Sequence, residues 1–259
     1  MGSVTFVGLG LEDERGMTLG GLEEARRAGT IFIEMYTNVM PRLDMKRLEQ
    51  LLGKPVQILN RTDIEDDEGK LVVHASENGD VVFFVPGDPM IATTHVSLRL
   101  ILAKRKIATR IVHSASITSA IAGATGLQSY KFGKSVTVPA VGPAPRSVID
   151  TISENRGRGL HTLLLLDIAD LTRGPLTISE AVRKIMTARK DLEDYFSVGA
   201  ARVGAIDEIV KAARMRKLQD YNFGGPPHCL VVIGRLHFVE AEALSVFCGA
   251  DESDMEAVR

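Results

Sequence analysis

The run Val81–Val85 constrains the fold strongly, because all five of its side chains are apolar and Pro86 follows it directly. β-Branched and aromatic residues favour a strand, and this strand has no polar face to turn toward water. Shorter runs of the same character lie at Val4–Val7, Ile31–Ile33, Val56–Leu59 and Ile107–Val112. Strands that are buried on both faces and joined by helices predict a parallel sheet with helices on both sides. We therefore predict a doubly wound α/β domain over residues 1–112.

Helix signals fill the gaps between these strands. Thr18 is placed to cap a helix that follows it, and Gly53 to end a helix that begins near Arg42. A further helix is predicted with an apolar face made of Val96, Leu100 and Ala103. The acidic run 65–68, which ends at Gly69, predicts a solvated loop.

The second half of the chain predicts another α/β domain, over residues 113–259, with a mixed sheet. Strands are predicted at 135–139, 163–166, 200–203 and 230–233, and helices from Thr177, from Ile206 through Val210 and after His237. Thr177 and Glu180 have the spacing of a capping box. No clear crossover helix lies between Ala122 and Ser147, which argues against an all-parallel sheet.

Composition limits the kinds of partner. The chain has 31 Lys and Arg against 33 Asp and Glu, with 9 Phe, 4 Tyr and no Trp. It lacks the basic field and the stacking surface that nucleic-acid binding requires, so a protein or a small molecule is the expected partner. Neither a basic leader nor an apolar run of roughly 18 residues is present, which predicts a cytoplasmic protein with no membrane span.

The metal-ligating residue types do not form a ligand pattern. The six histidines are widely spaced, and Cys229 and Cys248 complete no zinc or redox motif. We therefore predict no metal. Cys229 begins an apolar run and is predicted to be a buried, reduced thiol.

Three strand ends carry unusual residues, and ligands of open α/β sheets bind beyond such ends. They are Gly8–Leu11, Pro86–Pro89 and the segment 113–120. Each has a structural and a functional interpretation. The first glycines allow a tight turn or a close approach to a ligand, but Asp13 replaces the third glycine of a dinucleotide motif. Asp88 could cap the following helix or accept a ligand's donor, and Ser116 could cap a helix or leave main-chain amides for a ligand.

His228 is the remaining candidate. Pro226-Pro227 fixes the chain just before it, so its side chain either faces a ligand or simply begins a strand. On the residues alone, the second alternative is the default.

Several collinear segments resemble one group of enzymes over essentially the whole chain. They are Phe6–Leu11, Asp13–Arg15, Pro86–His95, Lys131–Ser135, Gly159–Leu164 with Leu166-Asp167, Ala201–Gly204 and Pro226–His228. In these segments the chain is similar to the archaeal-type diphthine synthases, which belong to the tetrapyrrole methylase family of S-adenosylmethionine-dependent methyltransferases. Pro86–His95 is the most specific match.

The resemblance implies that S-adenosylmethionine lies in a cleft between two domains and leaves as S-adenosylhomocysteine, without a metal. The cofactor contacts that it implies are Leu11, Asp88, Ile91, Ser116, Ile117, Leu166, Val203 and His228. Apolar members of this set suit adenine and the thioether arm, while main-chain groups satisfy the adenine edges. No residue is identified as the general base.

The resemblance further implies the acceptor. It is the amino group of an aminocarboxypropyl-modified histidine on translation elongation factor 2, methylated repeatedly in diphthamide biosynthesis by a homodimeric enzyme. The alternatives are a methyltransferase of the same fold that acts on a tetrapyrrole precursor or on an rRNA ribose, and a non-catalytic module that only binds S-adenosylmethionine.

Overall fold

The computed structural model describes residues 2–168 and 174–258, which form two compact units, Met1–Ile117 and Thr118–Arg259. The first unit contains strands β1 Ser3–Gly8, β2 Thr30–Glu34, β3 Gln57–Leu59, β4 Val81–Val85 and β5 Ala108–Val112. Its helices are α1 Leu19–Arg27, α2 Met45–Leu52, α3 Lys70–Asn78 and α4 His95–Lys104, and α5 Ile117–Thr125 leads into the second unit. The boundary drawn from the sequence, between residues 112 and 113, stays a prediction.

The first sheet is parallel throughout, as predicted, and its strand order is β3-β2-β4-β1-β5. Alternate residues of its central strands enter two separate cores. Phe83 of β4 packs in a core with side chains of α3 and α4, whereas Phe84 packs with side chains of α1 and α2. Because side chains alternate along a strand, a run of five apolar residues serves both faces at once.

Three local predictions for this unit need correction. Helix α2 begins at Met45 rather than near Arg42, because the Asp44 side chain accepts the main-chain N–H of Lys46 at 2.9 Å and so caps the helix there. The buried face of α4 consists of His95, Leu98 and Leu102, while Val96 and Leu100 are exposed. This helix is apolar on nearly every side, so periodicity alone does not show which face is buried.

The third correction concerns the acidic run. Its first two residues, Glu65 and Asp66, belong to a short π-helix, Thr62–Asp66, and only the last two follow in irregular chain. Asn60 and Asp63 close this segment reciprocally, each side chain accepting the other's main-chain N–H at 2.8 and 3.0 Å. Ile64 is buried beneath it, so the segment is more than a solvated loop.

The second unit contains strands β6 Val136–Val138, β7 Thr162–Leu166, β8 Phe196–Ala201, β9 Ile209–Arg214 and β10 His228–Val232. Its helices are α6 Arg146–Gly157, α7 Ile178–Ala188, α8 Met215–Leu218, α9 Phe238–Cys248 and α10 Glu252–Met255. The sheet order is β6-β7-β10-β8-β9, with β6 and β7 parallel and the other pairs antiparallel. The predicted mixed sheet is therefore confirmed.

Of two local predictions for this unit, one is confirmed and one is wrong. The capping box is present: Thr177 Oγ1 accepts from Glu180 N, and Glu180 Oε2 accepts from Thr177 N at 2.9 Å. The helix predicted from Ile206 is wrong, because Ile206 is exposed in a turn and the chain then enters β9, which pairs with β8 over six residues. Among the residues that the structure describes, no helix is both long and apolar enough to cross a membrane.

Candidate functional site

The first unit has a topological switch point between two neighbouring strands. β1 and β4 lie side by side, but α1, which follows β1, contributes to one core and α4, which follows β4, to the other. The chain therefore leaves the two strands toward opposite faces of the sheet. Ligands of open α/β sheets bind in the crevice that such a divergence creates at the carboxyl edge.

The loops after β1, β4 and β5 meet at this edge, because β1 is flanked by the other two strands. Gly10 and Gly87 form an antiparallel bridge, with Gly87 N donating to Gly10 O at 2.8 Å and Gly10 N to Gly87 O at 3.2 Å. Ser114 Oγ, after β5, donates to Gly16 O at 2.9 Å. The three strand ends that stood out in the sequence are thus brought together.

Gly8 lies where the three loops converge. A Cβ atom there would approach Gly87 O to 2.5 Å, Ser114 Cβ to 2.8 Å and Pro89 Cδ to 3.1 Å. Gly87 is the opposite case: it is buried, its φ is +74°, and an added Cβ would meet nothing within 4 Å. There is therefore free space directly beside the main chain of the β4 loop, which a ligand could fill.

Asp88 connects the β4 and β5 loops through its buried carboxylate. Oδ1 accepts from Met90 N at 3.0 Å, and Oδ2 lies 2.7 Å from His113 Nδ1 and 3.3 Å from Ser114 N. The side chain does not cap α4, which begins at His95. An ionised carboxylate offers about four acceptor positions. Donors within the described part of the chain use three, which leaves one for a ligand's hydroxyl or ammonium group.

The other candidates of the first unit lie in the same strand-end loops or directly after them. Leu11 is half-buried in the loop after β1, and Ile91 is 42% exposed in the loop after β4. Ser116 is buried directly before α5, and Ile117 is the half-buried first residue of that helix. Four of the five residues therefore belong to the three strand-end loops, and Ile117 follows directly.

A buried histidine contacts the main chain of the loop that carries Asp88. His95 Nδ1 lies 3.2 Å from Pro89 O, and since a carbonyl only accepts, Nδ1 carries the proton. His95 is fully buried, and this burial lowers its pKa to about 4, so the imidazole is neutral. Its Nε2 lies 3.8 Å from Oε1 of Glu34, a carboxyl whose pKa burial raises. Nε2 thus faces the end of β2 and has no hydrogen bond to any residue that the structure describes.

In the second unit, three candidates share one edge of the sheet. Leu166 ends β7, Val203 follows β8, and His228 begins β10, which runs antiparallel between those two strands. His228 pairs with Ala201, and Arg202 N donates to Pro227 O at 2.9 Å. Leu166 and Val203 are buried, so this edge presents mostly apolar side chains and main-chain groups.

The His228 imidazole is already fully used by the chain. Ile178 N, at the start of α7, donates to Nδ1 at 3.3 Å, and Nε2 lies 3.1 Å from Gly225 O. These partners require a proton on Nε2 and none on Nδ1. Burial lowers the pKa of His228, in agreement with this neutral form. Both sequence-based alternatives remain compatible with its position, but its two nitrogens are committed to structure.

These features suit an organic cofactor that has both apolar and polar groups better than a metal. The free acceptor capacity of Asp88 and the space beside Gly87 occur in the loop that also contains Ile91, and Gly10, which precedes Leu11, bridges to Gly87. Within residues 2–168 and 174–258, no cluster of three or more His, Cys, Asp or Glu side chains could hold a metal ion.

Comparison with known proteins identifies the family. The model of the tetrapyrrole (corrin/porphyrin) methylases matches residues 3–219. The chain belongs to this methylase family. Its assignment as an S-adenosylmethionine-dependent methyltransferase is thereby confirmed at the level of enzyme class.

Within the tetrapyrrole methylase family, the similarity extends over nearly the full chain. The diphthine synthase of Methanococcoides burtonii is 41% identical over 265 residues, covering 98% of each chain. That of Archaeoglobus fulgidus is 40% identical and covers 95% of this chain and 96% of its own. A crystal structure of a diphthine synthase superposes with a TM-score of 0.91 at 38% identity, covering 99% of each chain.

Two features of this methyltransferase were not predicted from the sequence: the pairing of His113 with Asp88, and the contact of His95 with the Pro89 carbonyl in the Asp88 loop. His95 did stand in the most specific motif, and His113 directly follows a predicted strand. Knowing that the ends of β4, β1 and β5 are adjacent would have predicted the contact of His113 with Asp88. That adjacency follows from the strand order β4-β1-β5, which the sequence does not reveal.

Proposed function

We propose that this methyltransferase transfers methyl groups from S-adenosylmethionine to the amino group of an aminocarboxypropyl-modified histidine of translation elongation factor 2. The transfer is repeated on the same nitrogen and leaves S-adenosylhomocysteine, as in diphthine synthesis. One observation carries the proposal: similarity to diphthine synthases at 41% identity over 98% of both chains. Family membership alone would leave the acceptor open.

The proposed cofactor contacts divide between the two units. In the first, Asp88 accepts one donor group while Leu11, Ile91 and Ile117 pack on apolar parts and Ser116 lies beside them. In the second, Leu166, Val203 and His228 contribute contacts from the edge that they share. The expectation that both sets contact a single cofactor is part of this proposal, and variants in each unit test them separately.

The chain's task is mainly to bind and orient. When bound, S-adenosylmethionine supplies a methyl group that its sulfonium already activates. Holding an acceptor and a donor in line can contribute about 7–11 kcal/mol toward a lower barrier. Asp88 suits this role because Met90 N and Ser114 N fix its carboxylate before any ligand arrives.

The proposal includes a homodimer in the cytoplasm that acts without a metal and without nucleic acid. One observation supports self-association. Helix α9 is apolar on nearly all sides, yet Phe238, Val246 and Phe247 are largely exposed. Exposed apolar patches of this kind are typical of protein–protein contacts. Light scattering after gel filtration tests the dimer, and a monomer at micromolar concentration would contradict it.

Methyl transfer from labelled cofactor tests the acceptor. Purified elongation factor 2 is supplied with and without the aminocarboxypropyl group, and label is expected only on the modified form. Equal labelling of both forms contradicts the proposed acceptor. Label on a tetrapyrrole precursor or on rRNA instead supports an alternative substrate, and binding with no transfer to any acceptor supports the non-catalytic alternative.

Calorimetry with S-adenosylhomocysteine tests the role of Asp88. Losing one hydrogen bond to a charged group costs about 1.5–3 kcal/mol, so Asp88→Ala should raise Kd roughly 10- to 100-fold. Asp67→Ala is the matched control, because the one ion pair of this exposed carboxylate among residues 2–168 and 174–258 is with Lys70 at 3.6 Å. If Asp88→Ala loses turnover but binds as the wild type does, Asp88 does not hold the cofactor.

A further inference from the structure

His113 and Asp88 form an acid–imidazole pair at the carboxyl edge of the first sheet. Asp88 Oδ2 lies 2.7 Å from His113 Nδ1, the shortest of the contacts that this carboxylate makes. The carboxylate is buried, whereas the imidazole is 68% exposed. The pair therefore has a fixed inner end and a free outer end.

This geometry decides which nitrogen of His113 is available. An ionised carboxylate can only accept a hydrogen bond, so Nδ1 carries the proton in the neutral ring. The lone pair is then on Nε2. No other hydrogen bond or ion pair of His113 exists in the part of the chain that the structure describes. A carboxylate that fixes the tautomer and leaves the far nitrogen free is the arrangement of a general base.

Four other titratable groups near the two sheet edges do not offer this arrangement. His95 is fully buried, and both nitrogens of His228 are hydrogen-bonded. In the turn that packs against Ser114, Asp13 is paired with Arg15 at 2.7 Å and Glu14 with Arg47 at 3.0 Å. Asp88 itself already accepts three donors.

We propose that His113 is the general base that removes the proton from the acceptor amine, and that Asp88 positions it. The inference rests on the proposed function. An ammonium proton passes to His113 Nε2, and the nitrogen recovers its lone pair. That pair forms the new N–C bond to the methyl carbon, while the electrons of the C–S bond leave with sulfur, which becomes a neutral thioether. The imidazolium then releases its proton to solvent, so each methyl transfer yields one proton.

The first test does not depend on turnover. Nitrogen NMR of the wild-type protein, with the His113 ring assigned by comparison with His113→Asn, should show a proton on Nδ1 and a bare Nε2. Asp88→Asn should abolish this preference. A wild-type ring that carries its proton on Nε2, or an unchanged ring in Asp88→Asn, overturns the proposal.

The second test measures transfer to modified elongation factor 2. His113→Asn can still donate to Asp88 but cannot act as the base, so kcat should fall by about 10²–10⁴-fold, the usual contribution of such a group. Its affinity for S-adenosylhomocysteine should stay within about twofold of wild type. His74→Asn is the matched control, since His74 is 79% exposed and lies 3.4 Å from Glu77 on α3.

Added imidazole should restore part of the activity of His113→Ala, because the vacated position is open to solvent. The assignment of His113 as the base is overturned if His113→Asn is as active as His74→Asn, or if imidazole does not restore activity to His113→Ala. The proposed function stands in either case. Wild-type protein that binds the cofactor but never labels modified elongation factor 2 refutes the proposed function, and the assignment of the base to this amine with it.

Discussion

Replacing Gly8 by Ala is a sensitive test of the loop junction at the first sheet edge. The added methyl group would lie 2.5 Å from Gly87 O, nearly 1 Å closer than an ordinary contact. Gly87 cannot retreat freely, because its N–H and its carbonyl both bond Gly10. Overpacking of a rigid site costs about 1–3 kcal/mol. Each hydrogen bond lost as the loops separate adds about 1 kcal/mol.

Two measurements follow from this clash. Thermal unfolding of Gly8→Ala should shift Tm downward by about 2–4 °C for every kcal/mol lost. Affinity for S-adenosylhomocysteine should also fall, since the Asp88 loop must move. Gly123→Ala is the matched control: an added Cβ on this exposed position of α5 meets nothing within 4 Å, and stability should rise by about 0.5–1 kcal/mol. A Gly8→Ala protein with wild-type Tm and wild-type affinity would refute the idea of a tight junction.

Two further variants address buried titratable groups. Burial alone would raise the pKa of Glu240, but hydrogen bonds from His237 N, Lys131 and Gln128 N outweigh it and lower that pKa to about 2. The stabilisation by ionised Glu240 is thus present above the unfolded pKa of about 4.3 and is lost as pH falls toward 2. In urea unfolding, Glu240→Gln should lower the free energy of unfolding by roughly 3 kcal/mol at pH 7. The variant should also lose less stability than the wild type when the pH falls below about 4.3. The lowered pKa of His95, about 4, means that the unfolded chain takes up a proton first. The free energy of unfolding should therefore fall as pH drops from about 6.5 to 4. His95→Phe should reduce the slope of this pH dependence by up to about 1.4 kcal/mol per pH unit. An unchanged slope would show that His95 is protonated in the folded protein.

The first sheet was predictable because its strands carry their own signal. Val81–Val85 matches β4 at both ends, since apolar side chains are needed on both faces and Pro86 ends the run. Helix α4 was located correctly, but a helix that is apolar nearly all round does not reveal its buried face. Asp44, a capping residue that precedes α2, would have corrected the start of that helix.

The second sheet was harder because part of it depends on pairing. Strand β9 contains Lys211 and ends at Arg214, and three of its residues are only half-buried before the chain reaches Ala212. What makes it a strand is its antiparallel pairing with β8, a long-range contact that no local pattern encodes.

The candidate site divides in the same way. The α/β pattern predicted that the candidate site lies at strand ends, and Pro86–Pro89 was recognisable as a rigid turn. Which strand ends touch depends on strand order, and that order alone brings His113 to Asp88. The contact is thus a property of the fold, although both residues were visible in the sequence.

Asp88 and His228, two of the three polar side chains proposed to contact the cofactor, differ in the hydrogen-bonding capacity that the fold leaves free. His228 donates to Gly225 O and accepts from Ile178 N, so its ring has no polar atom left for a ligand. Asp88 keeps one acceptor position. On the proposed set of contacts, polar recognition in the second unit would come from main-chain groups at the edge that His228 shares with Leu166 and Val203. In the first unit, the Asp88 carboxylate would both bind a cofactor donor and align His113. It follows that His228→Ala should act by releasing the start of α7, and Asp88→Ala by removing a direct contact.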